Sequence, residues 1–227
     1  MDYVVSAAPQ PSLPVVGTGA RFPVRRIYCV GRNYLAHVRE LGNDEKALPF
    51  FFAKANNMIV EDGAAIPYPT LTSSYHHEVE LVVAIGQDGA DIPAAEAWDY
   101  VYGYAVGFDM TRRDLQQAAS KKGHPWEIGK SFDNSAPCGP IYPAARAGHI
   151  REGELQITVN GEVRQRSNLS LMIWDVPHII HHLSQQVTLE PGDLIYTGTP
   201  EGVGAVVSGD VLVGRIANLG ELTIRIT

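Results

Sequence analysis

Short apolar runs separated by Gly-, Pro- and Asn-containing turns dominate this chain, and stretches of helical periodicity are few. RIYCVG (26–31) and PFFFAK (49–54) read as buried strands, the second ending in Lys54. HHEVELVVAIG (76–86) predicts another strand, followed by a turn from Gly86 to Gly89. AAEAWDYVYGYAVGFDM (94–110) runs from a short helix into a strand. LQITVNGEVRQ (155–165) predicts a hairpin turning at Asn160-Gly161, and GDVLVGRIA and GELTIRIT predict two closing strands. Helical spacing is confined to a few segments. YLAHVREL has Asn33 as its cap and Gly42 as its stop. RRDLQQAASKK ends at Gly123, with Thr111 and Asp114 placed as a capping box. WDVPHIIHHLSQQ carries Asp175 as cap and Pro177 in its first turn. Residues 1–22 are Pro-rich and aperiodic, and predict an extended arm over a single catalytic domain at 23–227. This order fits neither βαβ alternation nor an all-helical plan. It predicts a β-rich α+β domain.

Composition narrows the function classes. With 227 residues, 45% of them apolar, the chain builds one sizeable core. No stretch approaches the ~20 apolar residues that span a bilayer. The N-terminus lacks the basic start and apolar run of a secretory signal. Cys29 and Cys138 do not make a disulfide framework. The expectation is a soluble cytoplasmic protein with no membrane partner. The net charge of −7 and the isolated basic pairs (Arg25-Arg26, Arg112-Arg113, Lys121-Lys122) argue against nucleic acid. An anionic small molecule is compatible if a metal, Arg or Lys attracts it locally.

Strand alternation puts Glu78 and Glu80 on one face, with Val79, Leu81 and Val83 on the other. Two such carboxylates repel each other and raise their pKa unless a cation sits between them. Asp109 ends a second apolar strand where a helix begins. Three hard oxygen ligands without a thiolate suit Mg²⁺, Mn²⁺ or Ca²⁺ better than zinc. Glu-x-Glu by itself is common, and its ordinary reading is a solvent-facing strand. His76 shares the face of Glu78 and His77 points away, which favours packing roles over ligation. His178, His181 and His182 have metal-like spacing but no carboxylate beside them, so a helix surface or oligomer contact is expected. No P-loop, dinucleotide fingerprint, CxxC or Gly-x-Ser-x-Gly elbow is present.

CVGRNYLAHVREL, PFFFAK, HHEVELVVAIG, YAVGFDMTRRDLQ, GHPWEIGKSFDNSAPCGP, VNGEVRQ and GDLIYTGTPEGVG follow one another in this order. Together they resemble the fumarylacetoacetate hydrolase superfamily, in its short acylpyruvase and fumarylpyruvate hydrolase branch, over about residues 24–226. The resemblance implies a mixed β-roll with peripheral helices, and a homodimer. It implies Mg²⁺ or Mn²⁺ (Ca²⁺ in vitro) on Glu78, Glu80 and Asp109. It makes His37 and Glu40 a water-activating dyad, and their i, i+3 spacing on a helix makes them neighbours. Arg113 and Gln116, with Lys54, Lys130 and Thr199, are implied around the carboxylate and keto groups of the substrate. One departure is Ala55-Asn56-Asn57, where many relatives carry proline after the lysine.

The implied reaction is hydrolysis of the C3–C4 bond of a 2,4-diketo acid, here fumarylpyruvate, to fumarate and pyruvate. Gln116 and Lys130 would add hydrogen bonds as charge develops. The second carboxylate of this dicarboxylic keto acid needs a cation, with Arg32, Arg112 and His124 as candidates. Rival readings are oxaloacetate decarboxylation or tautomerisation on the same site, and a non-catalytic small-acid or metal binder.

Overall fold

The computed structural model describes residues 3–35 and 48–227. YLAHVREL, with His37 and Glu40, lies largely outside the described residues. Its apolar periodicity dictates a centre of two packed sheets. Val79–Ile85 is a continuous apolar run apart from Glu80, and every residue in it is buried. Such a run belongs at the middle of a sheet covered on both faces. It pairs antiparallel with Val101–Phe108 on one side and with Asp193–Tyr196 on the other. Asp193–Tyr196 then runs parallel to Arg26–Gly31, and Phe50–Lys54 closes that edge. Tyr142–Pro143 completes the six-stranded sheet at its other edge.

The second sheet has five strands, in the order Glu162–Asn168, Glu154–Val159, Val211–Ile216, Glu221–Ile226 and Ala65–Ile66. Its inward residues Leu155, Ile157, Leu212 and Ile224 pack against Val79, Leu81 and Val83 in the main core. Each Val or Leu fully buried there contributes roughly 1.5–3 kcal/mol. Val82 and Ala84, of opposite parity, pack beneath the first sheet with Cys29 and Tyr196. The result is the β-rich roll expected, with short helices at its periphery. Among the described residues no helix is long and apolar enough to cross a membrane.

Part of the stretch predicted to be an arm is ordered into the second core. Ser12–Pro14 pairs with Arg21–Pro23, and the register partners Leu13 and Phe22 are both buried there. Strands of three residues are too short to show alternation in the sequence.

The hairpin turns at Asn160 (φ 52°) and Gly161 (φ 84°), as its sequence demands. Arg113–Lys121 and Val176–Ser184 are the longer described helices, and Asp175 caps the latter through His178 N–H at 3.1 Å. One capping expectation fails, and the Asn33 cap belongs to a helix that lies largely outside the described residues. The Asn33 side chain joins Trp174 and Thr197, donating to both carbonyls and accepting from Trp174 N–H. Thr111 Oγ1 turns back to donate to Asp109 O, while Asp114 accepts from Thr72 Oγ1 (2.6 Å) and Ser73 N–H. At Asp114 the tertiary partners Thr72 and Ser73 take the carboxylate that a capping box would use.

Candidate active site

Adjacent strands bring the acidic residues together. Glu78 sits at the junction of Tyr75–His77 and Val79–Ile85, and Glu80 lies opposite Gly107 in the neighbouring strand. Asp109 follows that neighbour, and its N–H donates to Glu78 O at 2.9 Å. One carboxylate oxygen from each of Glu78, Glu80 and Asp109 lies within 4.8 Å of the others. The three residues are only 5%, 1% and 1% exposed.

Three cations surround this cluster. Lys130 Nζ bridges Glu78 Oε2 at 2.8 Å and Asp109 Oδ2 at 2.6 Å. Arg113 pairs with Glu78 Oε1 and also donates to Gln116 Oε1 at 3.2 Å. Lys54 Nζ lies 2.8 Å from Asp109 Oδ1 but donates to the carbonyls of Met110 and Lys130. Burial alone would lower the Lys130 pKa, but Asp109 and Glu78 outweigh it and the ammonium is held above its ordinary value. Glu80 is left out of this pairing. Among the described residues it accepts one side-chain hydrogen bond, from Gly198 N–H at 2.7 Å. Burial first, then Asp109 and Glu78, push its carboxyl well above the usual range.

This set of donors fits a divalent cation. Asp109 Oδ1 is buried and has an ion-pair contact with Lys54 but no hydrogen bond among the described residues. Glu80 is a buried acid with no ion pair among the described residues. All-oxygen donors of this kind are what Mg²⁺ and Mn²⁺ take. Neither His76 nor His77 joins the cluster. His76 Nε2 pairs with Ser74 Oγ and His77 Nδ1 with Gln165 Oε1, each at 3.0 Å. On the later helix His178 does have a carboxylate beside it, its own cap Asp175 at 2.6 Å, which corrects the sequence expectation. His182 instead packs edge-on to Trp174.

Close backbone approach shapes the walls. Gly198 has φ +95°, and a Cβ there would meet Asn33 Cβ at 2.7 Å, so this turn requires glycine. Gly129 lets Glu127–Lys130 lie against Arg113–Lys121, since a Cβ at 129 would stand 2.6 Å from Gln116 N. Gln165, 1% exposed, was assigned no role from sequence. Its Oε1 accepts from Val79 N–H (3.1 Å), and its Nε2 donates to Thr199 Oγ1 and Pro200 O, both at 2.8 Å. The available signal was an uncharged polar residue between the exposed Arg164 and Arg166 of a hairpin strand.

A cavity of about 360 Å³ opens above the carboxylates. Arg32, Glu78, Glu80, Asp109, Arg113, Gln116 and Thr199 line it, as do Phe52, Gln117, Ser120, Lys121 and Trp126. Lys54 and Lys130 are buried and do not line it, and their ammonium groups contact the cluster directly.

The β-roll and its buried acidic triad define the class. Residues 26–227 match the fumarylacetoacetate (FAA) hydrolase C-terminal family, and the chain belongs to that family. A fumarylpyruvate hydrolase of Ralstonia sp is 46% identical over 177 residues, 78% of this chain and 92% of that protein. The mitochondrial oxaloacetate decarboxylase of Dictyostelium discoideum is 43% identical over 196 residues, 86% of this chain and 90% of that protein. The crystal structure of fumarylpyruvate hydrolase from Pseudomonas aeruginosa in complex with Mn²⁺ and pyruvate matches with a TM-score of 0.97 and 50% identity. It covers 100% of this chain and 99% of that one.

Proposed function

We propose that this chain is a metal-dependent hydrolase that cleaves the C3–C4 bond of fumarylpyruvate to give fumarate and pyruvate. The observation that carries this reading is the buried Glu78, Glu80 and Asp109 triad beside Arg113 and Gln116, in a chain matching a relative solved with Mn²⁺ and pyruvate. The triad would hold Mg²⁺ or Mn²⁺, which supplies Lewis acidity where negative charge builds on the pyruvate half. Gln116 Oε1 is taken by Arg113, which leaves its amide N–H groups as donors to a substrate keto oxygen. Lys130, buried among carboxylates, puts a fixed positive charge beside the reacting end. Lys54 neutralises Asp109 from behind, and Thr199 fixes the wall through Val79 O and Gln165.

His37, oriented by Glu40, is the proposed general base on the strength of the family resemblance. It takes a proton from water as the oxygen attacks C4. The C3–C4 electron pair moves to C3 as pyruvate enolate, which then takes up a proton, and fumarate carries the new oxygen. The substrate fits gentisate-type aromatic breakdown. A cytoplasmic homodimer is the proposed form, supported by the family resemblance and by the free, buried thiols of Cys29 and Cys138.

Oxaloacetate decarboxylation is the second reading, supported by the Dictyostelium relative. Purified protein assayed with fumarylpyruvate, acetylpyruvate and oxaloacetate, with and without Mg²⁺ or Mn²⁺, separates the two. Loss of diketo absorbance with pyruvate release is expected. Activity undiminished after thorough chelation overturns the metal mechanism.

A further inference from the structure

Resting on the dicarboxylate substrate just proposed, we infer that Arg32 and Lys121 form a two-cation clamp at the outer end of the cavity. There they grip the second carboxylate and select dicarboxylic over monocarboxylic acyl chains. Arg112 places its guanidinium over the Phe132 ring at 4.2 Å and does not line the cavity. His124 is exposed and does not line it either. Arg113 is committed to Glu78. Arg32 and Lys121 are the remaining cations on the cavity wall, and neither has an ion pair among the described residues.

Their placement suits the task. Arg113, Gln117 and Lys121 follow one another at four-residue steps along a single helix. That sets Lys121 about 12 Å along the axis from Arg113, since an α-helix rises ~1.5 Å per residue. Helical side chains lean toward the N-terminus, so the Lys121 ammonium reaches back over Gln117 toward the carboxylates. An extended seven-carbon keto acid is shorter than this helical rise, and the backward lean of the Lys121 side chain makes up the difference. Phe52 and Trp126 also line the cavity and suit an unsaturated chain.

Arg32 lines the same cavity with its guanidinium 5.4 Å from the Phe50 ring, and Phe50 in turn meets Trp126 edge-on. Its backbone has φ +63°, a left-handed conformation that a non-glycine residue adopts at a cost. Strain of this kind concentrates where a side chain must be aimed. Arg supplies a planar fork for a carboxylate and Lys a mobile point charge, so the pair grips the ligand from two sides.

The test uses uncleavable probes of matched length, 2-oxopimelate and 2-oxoheptanoate, which differ in the distal carboxylate. Binding to the Mn²⁺-loaded full chain is measured by calorimetry. The wild type is expected to bind the dicarboxylate 10–100-fold more tightly, about the value of a charge-assisted hydrogen bond pair. Arg32→Met, which keeps an unbranched side chain at the same φ, should collapse the preference. Lys121→Met, on an exposed helical turn, should reduce it. Arg32→Lys should restore part of it.

Kinetically, Arg32→Met should lower the ratio of kcat/KM for fumarylpyruvate over acetylpyruvate by tenfold or more. A wild type that binds both probes equally overturns the clamp even if it hydrolyses fumarylpyruvate. So does an Arg32→Met variant that keeps the preference. A wild type that prefers the dicarboxylate but hydrolyses neither diketo acid supports the clamp and overturns the hydrolase reading.

Discussion

The Gln165 amide donates to Thr199 Oγ1 across 2.8 Å, tying a hairpin strand of the second sheet to the loop that ends the metal-bearing one. The same side chain accepts from Val79 N–H, one residue from each of Glu78 and Glu80. Replacing Gln165 with Leu strands several buried polar groups, each costing ~1–3 kcal/mol. We expect Gln165→Leu to lower the urea midpoint and to weaken Mn²⁺ binding as well. An unchanged Mn²⁺ affinity would confine Gln165 to holding the fold.

Lys54 and Asp109 form a buried pair, and removing Lys54 leaves Asp109 with Lys130 as its remaining cation. Lys54→Met is therefore expected to cost less than the ~3–5 kcal/mol of a fully orphaned buried charge, about 1–3 kcal/mol in urea denaturation. Adding Asp109→Asn should recover part of that loss, although the double variant should be inactive. A double variant less stable than Lys54→Met alone contradicts the pairing.

Mn²⁺ at roughly a hundredfold excess over its Kd should add about 2.7 kcal/mol of stability. In a thermal scan that is a rise of about 5–10 °C. Glu80→Gln should abolish the rise while leaving the metal-free protein folded, because the site already drives this carboxyl toward its neutral form. A full rise in that variant would remove Glu80 from the ligand set.

His37→Ala should lower fumarylpyruvate turnover by about 10²–10⁴-fold, the usual worth of a positioned base. The Mn²⁺-dependent thermal shift should persist in this variant. Near-normal turnover would take the dyad out of the mechanism.

His76 contributes to the acid sensitivity of the fold, as does the more deeply buried His77. Burial first, then Arg113, lower the His76 pKa from 6.5 to about 4. The fold therefore favours the neutral ring, whose contribution is complete above pH 6.5 and is lost as the pH falls toward 4. Discounted for its partial exposure, the loss is about 1–2 kcal/mol. His76→Gln should flatten the pH dependence of the urea midpoint in that window. Parallel wild-type and variant curves would assign the slope to other groups.

Legibility in the sequence followed the range of the interaction. The Glu78–Glu80 face was readable because strand parity is local, and Asp109 because it closes an apolar run. The Asn160-Gly161 turn and the Asp175 cap were readable for the same reason. Thr111 was misread because its hydroxyl turns back toward Asp109 and its expected box partner Asp114 is held by Thr72 and Ser73. Gln165 was invisible as a hub because its partners, Val79 and Thr199, lie far along the chain. Lys54 and Lys130 were read as cavity groups, yet the strand end and the short helix that carry them deliver their ammonium groups into the carboxylate cluster.

The backbone contact at Gly129 has a consequence for how such a site diversifies. No side chain fits between Gln116 and residue 129, so the inner wall and the Lys130 charge form one welded unit. Gln117, Ser120 and Lys121 of the same helix are exposed at the cavity rim. Innovation in substrate is thereby channelled to the rim, while the chemistry underneath is inherited whole.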